Sequence, residues 1–129
     1  MAVFTTNIET ATLKNSHFRQ VLFTGQHQQL VVMSLKPQEE IGAEVHDEVD
    51  QFFRLEAGEA KFIVDDQTFT LKADDVIIIP AGSQHNVINP SASEALKLYT
   101  IYAPPNHPPG TVHPTKAEAD AAEATAHHS

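Results

Sequence analysis

Four side chains of this sequence carry nitrogen or oxygen donors of the kind that bind a cation. Glu44, His46 and Gln51 fall within eight positions, in the segment GAEVHDEVDQFF. His85 lies farther along, in PAGSQHNVIN. A single histidine among acidic residues is usually a solvated surface group, so two interpretations are open. Either the donors lie on the exposed faces of ordinary strands, or they converge on a divalent ion.

The alternation of side chains along a strand decides which donors can point the same way. Residues i and i+2 share a face, so Glu44 and His46 point together. Gln51 shares its face with Phe53 and Leu55, which have the character of core residues, and we expect it to point inward. A buried amide is costly unless a partner satisfies it. A divalent cation would satisfy all four donors, but spacing alone leaves both interpretations open.

The elements that must position these donors are short β-strands. From Arg19 to Ala103, segments rich in apolar and β-branched residues alternate with turn signals, as strands in a meander do. The segments are RQVLFTG, QQLVVMSL, VDQFFRLEA, KFIVDD, TFTLK, DDVIIIPAG, QHNVIN and ALKLYTIYA. This pattern predicts an all-β sandwich or barrel rather than βαβ units.

The 129 residues are expected to form one core with three segments. Residues 1–17 are polar and weakly patterned, which predicts an N-terminal arm or a first edge strand. Residues 18–103 make up the barrel. Residues 104–129 begin with the proline-rich PPNHPPGTVHP, which predicts a strap and not a strand. They end in a short helix that Thr115 can cap, with Glu118 in its first turn.

The composition excludes several classes of function. The chain has 17 acidic and 8 basic residues and a formal charge of −9, so nucleic acid and anionic membranes are not its main partners. It has no cysteine, which excludes disulfides, thiolate metal sites and cysteine nucleophiles. The N-terminus lacks the basic start and apolar run of a secretory signal, and the purest aliphatic run, residues 76–79, is far shorter than the ~20 residues of a membrane span. We therefore expect a cytoplasmic protein.

The segment PQEEIGAEVHDEVDQFFRLEAG resembles the first conserved motif of the cupin superfamily. Glu44 and His46 stand at the family's two histidine positions, and Gln51 stands at its carboxylate position. Gly58 closes the motif six residues after Gln51. Gln38 stands where the family usually has glycine.

The segment DDVIIIPAGSQHNVIN resembles the second motif of the same superfamily. The positions that match it in full register are Pro80, Gly82, His85 and Asn89. Asp74 replaces the glycine that usually opens this motif, and both it and Gln38 lie at turns, where a left-handed backbone is expected. The resemblance implies a cupin-type double-stranded β-helix, a jelly-roll barrel, with a short C-terminal helix.

The resemblance also implies one metal ion held by Glu44, His46, Gln51 and His85. Two imidazoles, one carboxylate and one amide oxygen suit a divalent first-row transition metal (Mn, Fe, Co, Ni, Cu or Zn) better than Ca or Mg. Because only one ligand is charged, the ion would stay net positive and act as a Lewis acid. The Glu and Gln ligands depart from the family's commoner set, so no particular member's activity carries over.

The predicted function is that of a metal-dependent enzyme acting on a small oxygenated metabolite by isomerisation, elimination or ring opening. Two alternatives stay open: an Fe or Cu dioxygenase, and a non-catalytic cupin that binds or senses a small ligand. Tyr99, Tyr102 and His27 are candidate general bases because they lie near the motifs. His107 and His113 are candidates to fold back over the barrel mouth.

The predicted partner is a small-molecule ligand or substrate. A homodimer formed by pairing of edge strands is the candidate assembly, with residues 1–17 as the segment that covers an edge. His127 and His128, in the C-terminal tail, are expected to be solvent-exposed surface residues.

Overall fold

The structure, a computed structural model, describes residues 2–128 and the side chains of residues 2–124. Within these residues the chain forms ten strands, which are β1 Arg19–Thr24, β2 Gln29–Leu35, β3 Glu44–Val45, β4 Asp50–Ala57, β5 Glu59–Val64, β6 Gln67–Lys72, β7 Val76–Ile79, β8 Gln84–Ile88, β9 Leu96–Ala103 and β10 Val112–His113. Helix α1, Ile8–Lys14, precedes the strands, and helix α2, Lys116–His128, follows them. Neither helix is long and apolar enough to cross a membrane.

The strands form two antiparallel sheets that pack face to face. One has six strands in the order β10-β1-β2-β9-β4-β7, and the other has four in the order β3-β8-β5-β6. Phe53 of the first sheet meets Phe62 of the second edge to face, with ring centroids 5.0 Å apart. The all-β jelly roll with a short C-terminal helix, expected from the sequence, is confirmed.

Alternation along the inner strands separates an apolar end of the interior from a polar end. On β4, Gln51 and Leu55 are both buried. On the neighbouring β9, Leu98 lies opposite Leu55, whereas Tyr102 lies opposite Gln51. Each large apolar side chain buried at the first end contributes roughly 1.5–3 kcal/mol to the free energy of unfolding. The polar end lacks this contribution and holds the candidate ligands.

Of the three non-glycine residues at positive φ in the described chain, two lie at turns where the sequence predicts this conformation. Gln38 has φ 64° and Asp74 has φ 77°. Asp74 donates its backbone N–H to the Leu55 carbonyl at 2.8 Å, so its turn is tied to β4. A short polar side chain tolerates this conformation better than a branched one, which explains how the glycine of the second motif is replaced.

The N-terminal segment is not the edge strand that was one of the two expectations, because Ile8–Lys14 form helix α1. Asn7 caps it by accepting the Thr10 N–H at 2.9 Å, and Glu9 and Lys14 complement its dipole at the two ends. Thr12 is the buried residue of this helix. An edge strand is therefore wrong for these residues. A seven-residue, threonine-rich helix has little intrinsic stability, so its packing on the barrel decides the conformation.

The C-terminal segment contains the expected helix and an unexpected short strand. Thr115 and Glu118 form a capping box, in which the Glu118 N–H donates to Thr115 Oγ1 at 3.2 Å and the Thr115 N–H donates to Glu118 Oε2 at 3.1 Å. Residues 104–111 are without strand structure, but Val112–His113 form β10 and pair with β1. The prediction of a strap without a strand is wrong at these two residues, because the edge of β1 supplies their partners.

We predict that Gly58→Ala destabilises the fold more than Gly110→Ala does. Gly58 has φ +88°, and an added Cβ would lie 2.7 Å from the Ala95 carbonyl oxygen. Gly110 has φ +74° with open space around it, so Ala there adds backbone strain alone. We expect losses of roughly 2–4 kcal/mol and about 1 kcal/mol, respectively, measured by urea unfolding. Equal losses would show that the β4–β5 turn yields to the clash.

Candidate metal centre

Three of the four predicted donors lie together at the polar end of the barrel. One ligand atom from each of Glu44, His46 and His85 lies within 4.8 Å of the other two. Pairing of β3 with β8 places Glu44 opposite His85. His46 follows β3, and its carbonyl accepts the Gly82 N–H at 2.8 Å, which ties it to the turn before β8. Strand pairing thus brings together groups that are far apart in the sequence.

Gln51 is buried beside these donors with one half of its amide satisfied. Its Nε2 donates to Thr100 Oγ1 at 3.0 Å, whereas its Oε1 is buried without a hydrogen-bond partner. Tyr102, which lies opposite Gln51 on β9, has its ring 5.9 Å from that of His46. An orphaned buried acceptor costs about 1–3 kcal/mol. A cation at this place would remove that cost, so the residues present fit the metal that the sequence implies.

The electrostatics of the site keep the candidate ligands in the forms that can bind metal. Burial raises the pKa of Glu44, but the hydrogen bond to His46 and the charge of Arg19 together bring it below its ordinary value. Its Oε2 lies 3.0 Å from His46 Nε2. Burial lowers the pKa of His85. At neutral pH the carboxyl of Glu44 is therefore ionised and the ring of His85 is neutral, as metal ligation requires.

Of the three candidate general bases, only Tyr102 lies at the site. Its hydroxyl is 3.2 Å from Nε2 of His107, and burial raises its pKa to about 12. Burial lowers the pKa of His107 to about 3. Both groups are neutral near pH 7 and suit hydrogen bonding better than proton abstraction. Tyr99 instead packs against Phe52, with ring centroids 6.0 Å apart, and His27 is exposed in the β1–β2 turn.

The strap crosses the barrel mouth because Gln29 of β2 holds it there. The side chain of Gln29 is fully buried, and its Oε1 accepts the N–H groups of Asn106 and His107 at 3.1 and 3.0 Å. Its Nε2 donates to the His107 carbonyl at 2.7 Å. These bonds place the His107 ring over Tyr102, as the sequence allowed. His113 also lies at the mouth, whereas the side chains of His127 and His128 lie outside the described residues.

The strap and α2 enclose a cavity of about 550 Å³ in front of the donors. Polar and charged side chains that line it are Arg19, Glu44, His46, Asn106, His107, Thr111, His113 and Glu123. The sequence did not single out Arg19, although a signal was present. Arg19 shares its strand face with the core residue Val21, so alternation along β1 points it inward.

Comparison with known proteins gives concordant results. Residues 31–102 match a family model described as a cupin domain. The chain is 50% identical over 126 residues to YrkC of Bacillus subtilis, covering 93% of this chain and 67% of that protein. It is 46% identical over 113 residues to protein L612 of Acanthamoeba polyphaga mimivirus, covering 85% of this chain and 71% of that protein. A crystal structure from Bacillus halodurans has a TM-score of 0.89 at 45% identity, covering 92% of this chain and 93% of that one.

We predict that acid destabilises the metal-free protein partly through His107. Its folded-state pKa of about 3 lies below the ordinary value of 6.5, so between these values the unfolded chain binds a proton that the native state does not. The free energy of unfolding should therefore fall as the pH falls from about 6.5 towards 3. In His107→Gln this dependence should be shallower, as measured by urea unfolding across that range. The control is His27→Gln at the exposed turn. The prediction would be contradicted if the free energy of unfolding had the same dependence on pH in the wild-type protein, His107→Gln and His27→Gln.

Proposed function

This chain belongs to the cupin family, and we propose that it holds one divalent first-row transition metal at Glu44, His46, Gln51 and His85. Imidazole, carboxylate and amide ligands suit Mn, Fe, Co, Ni, Cu or Zn. The observation that carries the proposal is the unpartnered Oε1 of Gln51 at the end of the barrel where the other three donors cluster. Without an ion, this buried oxygen would lack a partner and would destabilise the fold.

We propose that the site acts on a small oxygenated metabolite by isomerisation, elimination or ring opening. A bound ion supplies Lewis acidity towards a carbonyl or hydroxyl oxygen. The chain's own groups do the rest: Tyr102 offers a protonated hydroxyl, the strap restricts water at the mouth, and His107 holds the Tyr102 ring in place. The cavity of about 550 Å³ falls in the range of small-molecule sites.

Binding without turnover is the second candidate function. The pKa values of about 12 for Tyr102 and about 3 for His107 keep both groups from exchanging a proton near pH 7, which favours ligand binding over proton abstraction. Dioxygenase chemistry has weaker support, from the two histidines and one carboxylate that many non-haem iron sites use. The homodimer and the cytoplasmic location stay predictions.

We predict that His46→Ala and His85→Ala each remove most of the bound metal. Loss of an outer-shell partner already weakens metal binding roughly 10–100-fold, and loss of a ligand should weaken it more. The measurement is elemental analysis of protein purified without a histidine tag. His27→Ala, at an exposed turn, is the matched control and should keep full occupancy. Full occupancy in both site variants would rule out this assignment.

We predict that Gln51→Glu raises the affinity for a divalent ion roughly tenfold or more, about 1.4 kcal/mol. The substitution keeps the shape of the side chain and adds a negative charge that burial screens poorly. The measurement is competition with a chelator. Gln67→Glu adds the same charge at an exposed position of β6 and should leave the affinity unchanged. An unchanged affinity in Gln51→Glu would mean that Glu44, His46 and His85 form a three-ligand site without Gln51.

A further inference from the structure

A buried arginine lines the cavity without forming an ion pair. Arg19 is the first residue of β1, is only 4% exposed, and lies opposite His113 of β10. No carboxylate of the described residues lies within ion-pair distance of its guanidinium, although other residues there do form such pairs. Its Nε is buried without a hydrogen-bond partner. Its Nη1 has a long contact of 3.4 Å with His113 Nδ1.

This arrangement is unfavourable unless an anion completes it. A buried charge without a hydrogen-bonded counter-charge is among the most expensive features that a fold can carry. The guanidinium also stacks on Phe18, with its Cζ 5.3 Å from the ring centroid, so packing holds it in place. Glu44 is close enough for its charge to interact with that of Arg19, and Tyr102 is a further polar neighbour, but no carboxylate of the described residues forms an ion pair with the guanidinium. Arg19 is therefore held in position with its Nε–H available to a further partner.

The charges around the cavity are compatible with an anionic ligand. Glu44 and Glu123 are the acidic residues of the lining, and Arg19 is its basic residue. A divalent ion at the proposed site, together with Arg19, outweighs the two carboxylates. The formal charge of the whole chain is −9, so the cavity would be locally positive in an acidic protein. The positive electrostatic potential of such a cleft would attract a small anion.

We propose that the cavity binds a small carboxylate, whose carboxyl group pairs with Arg19 while a second oxygen of the ligand faces Glu44 and His46. A guanidinium presents its donors as a planar fork that matches a carboxylate, which a neutral sugar or alcohol does not. The second half of this arrangement rests on the proposed metal site, whereas the pairing with Arg19 does not. The ligand class is thus an organic acid, with 2-hydroxy acids as the simplest members.

The test uses three acids and their neutral amides as probes. Acetate, lactate and malonate are titrated calorimetrically into metal-loaded and chelator-treated protein, alongside acetamide, lactamide and malonamide. We expect each acid to bind at least tenfold more tightly than its amide. In Arg19→Gln this preference should disappear, and in Arg19→Lys, which keeps the charge but not the fork, it should be partly retained. Arg54→Gln, on the outer face with Glu56 and Asp74 as partners, is the matched control and should behave as wild type.

The outcomes separate this proposal from that of the metal site. If wild-type protein offered metal takes up none and still shows an acid preference that depends on Arg19, the carboxylate pocket is supported and the metal site is refuted. Normal metal uptake with equal binding of acids and amides would refute the carboxylate pocket alone. Failure of all three acids to bind wild-type protein would also refute it. If Arg19→Gln does not fold, the comparison of each acid with its amide on chelator-treated wild-type protein decides the question, because no ion is then present to attract the acid.

Discussion

The pairing of β3 with β8 is the interaction on which the site depends. β3 is only two residues long, yet it sets Glu44 opposite His85. Hydrogen bonds from the residues just before it make up for its short length. The Ile41 N–H donates to the Val87 carbonyl at 2.9 Å, and the Gly42 N–H donates to Asn86 Oδ1 at 2.9 Å. These bonds stabilise the backbone independently of any ligand, so the three side chains are held together whether or not a cation binds.

The same strands supply both the core and the site, which gives the interior its two ends. On β8, Val87 packs into the apolar core, whereas His85 points into the same interior two residues earlier. Close packing of the apolar end makes the backbone rigid, and this rigidity is passed to the polar end through each strand. Asn89, the last residue of the second motif, has a structural role as a hydrogen-bond donor to three backbone carbonyls. Its Nδ2 donates to the carbonyls of Leu35, Lys36 and Glu94 at 2.9–3.2 Å, away from the donor cluster.

Two segments outside the barrel, the strap and α2, also line the cavity. The strap is held by Gln29, and α2 places Ala119 against the core. As a result, a cluster that would face open solvent in a bare barrel faces a partly enclosed cavity instead. Enclosure lowers the local dielectric, which strengthens the attraction between Arg19 or a bound ion and any anionic ligand. With a divalent ion at the proposed site, this cavity would be locally positive in a chain whose formal net charge is −9.

The sequence by itself predicted eight of the ten strands in the described residues, the turns and the four candidate donors. Alternation predicted that Gln51 points inward with Phe53, and motif spacing predicted that His85 joins Glu44 and His46. Alternation is a local property, and motif spacing is read directly along the chain. Both can be found without knowing which strands are neighbours. The left-handed conformations of Gln38 and Asp74 are local in the same sense, because each depends on the residues of its own turn.

The tertiary structure alone decided what encloses the donors. Helix α1 forms because the barrel offers it a surface, although its threonine-rich sequence favours helix only weakly. Strand β10 exists because β1 has an unpaired edge, and the position of the strap follows from hydrogen bonds to Gln29, which is far away in the sequence. Arg19 could be assigned to the inner face by alternation, but its lack of an ion pair depends on every chain segment that surrounds it. Contacts between distant segments decide such features, and no local pattern in the sequence encodes them.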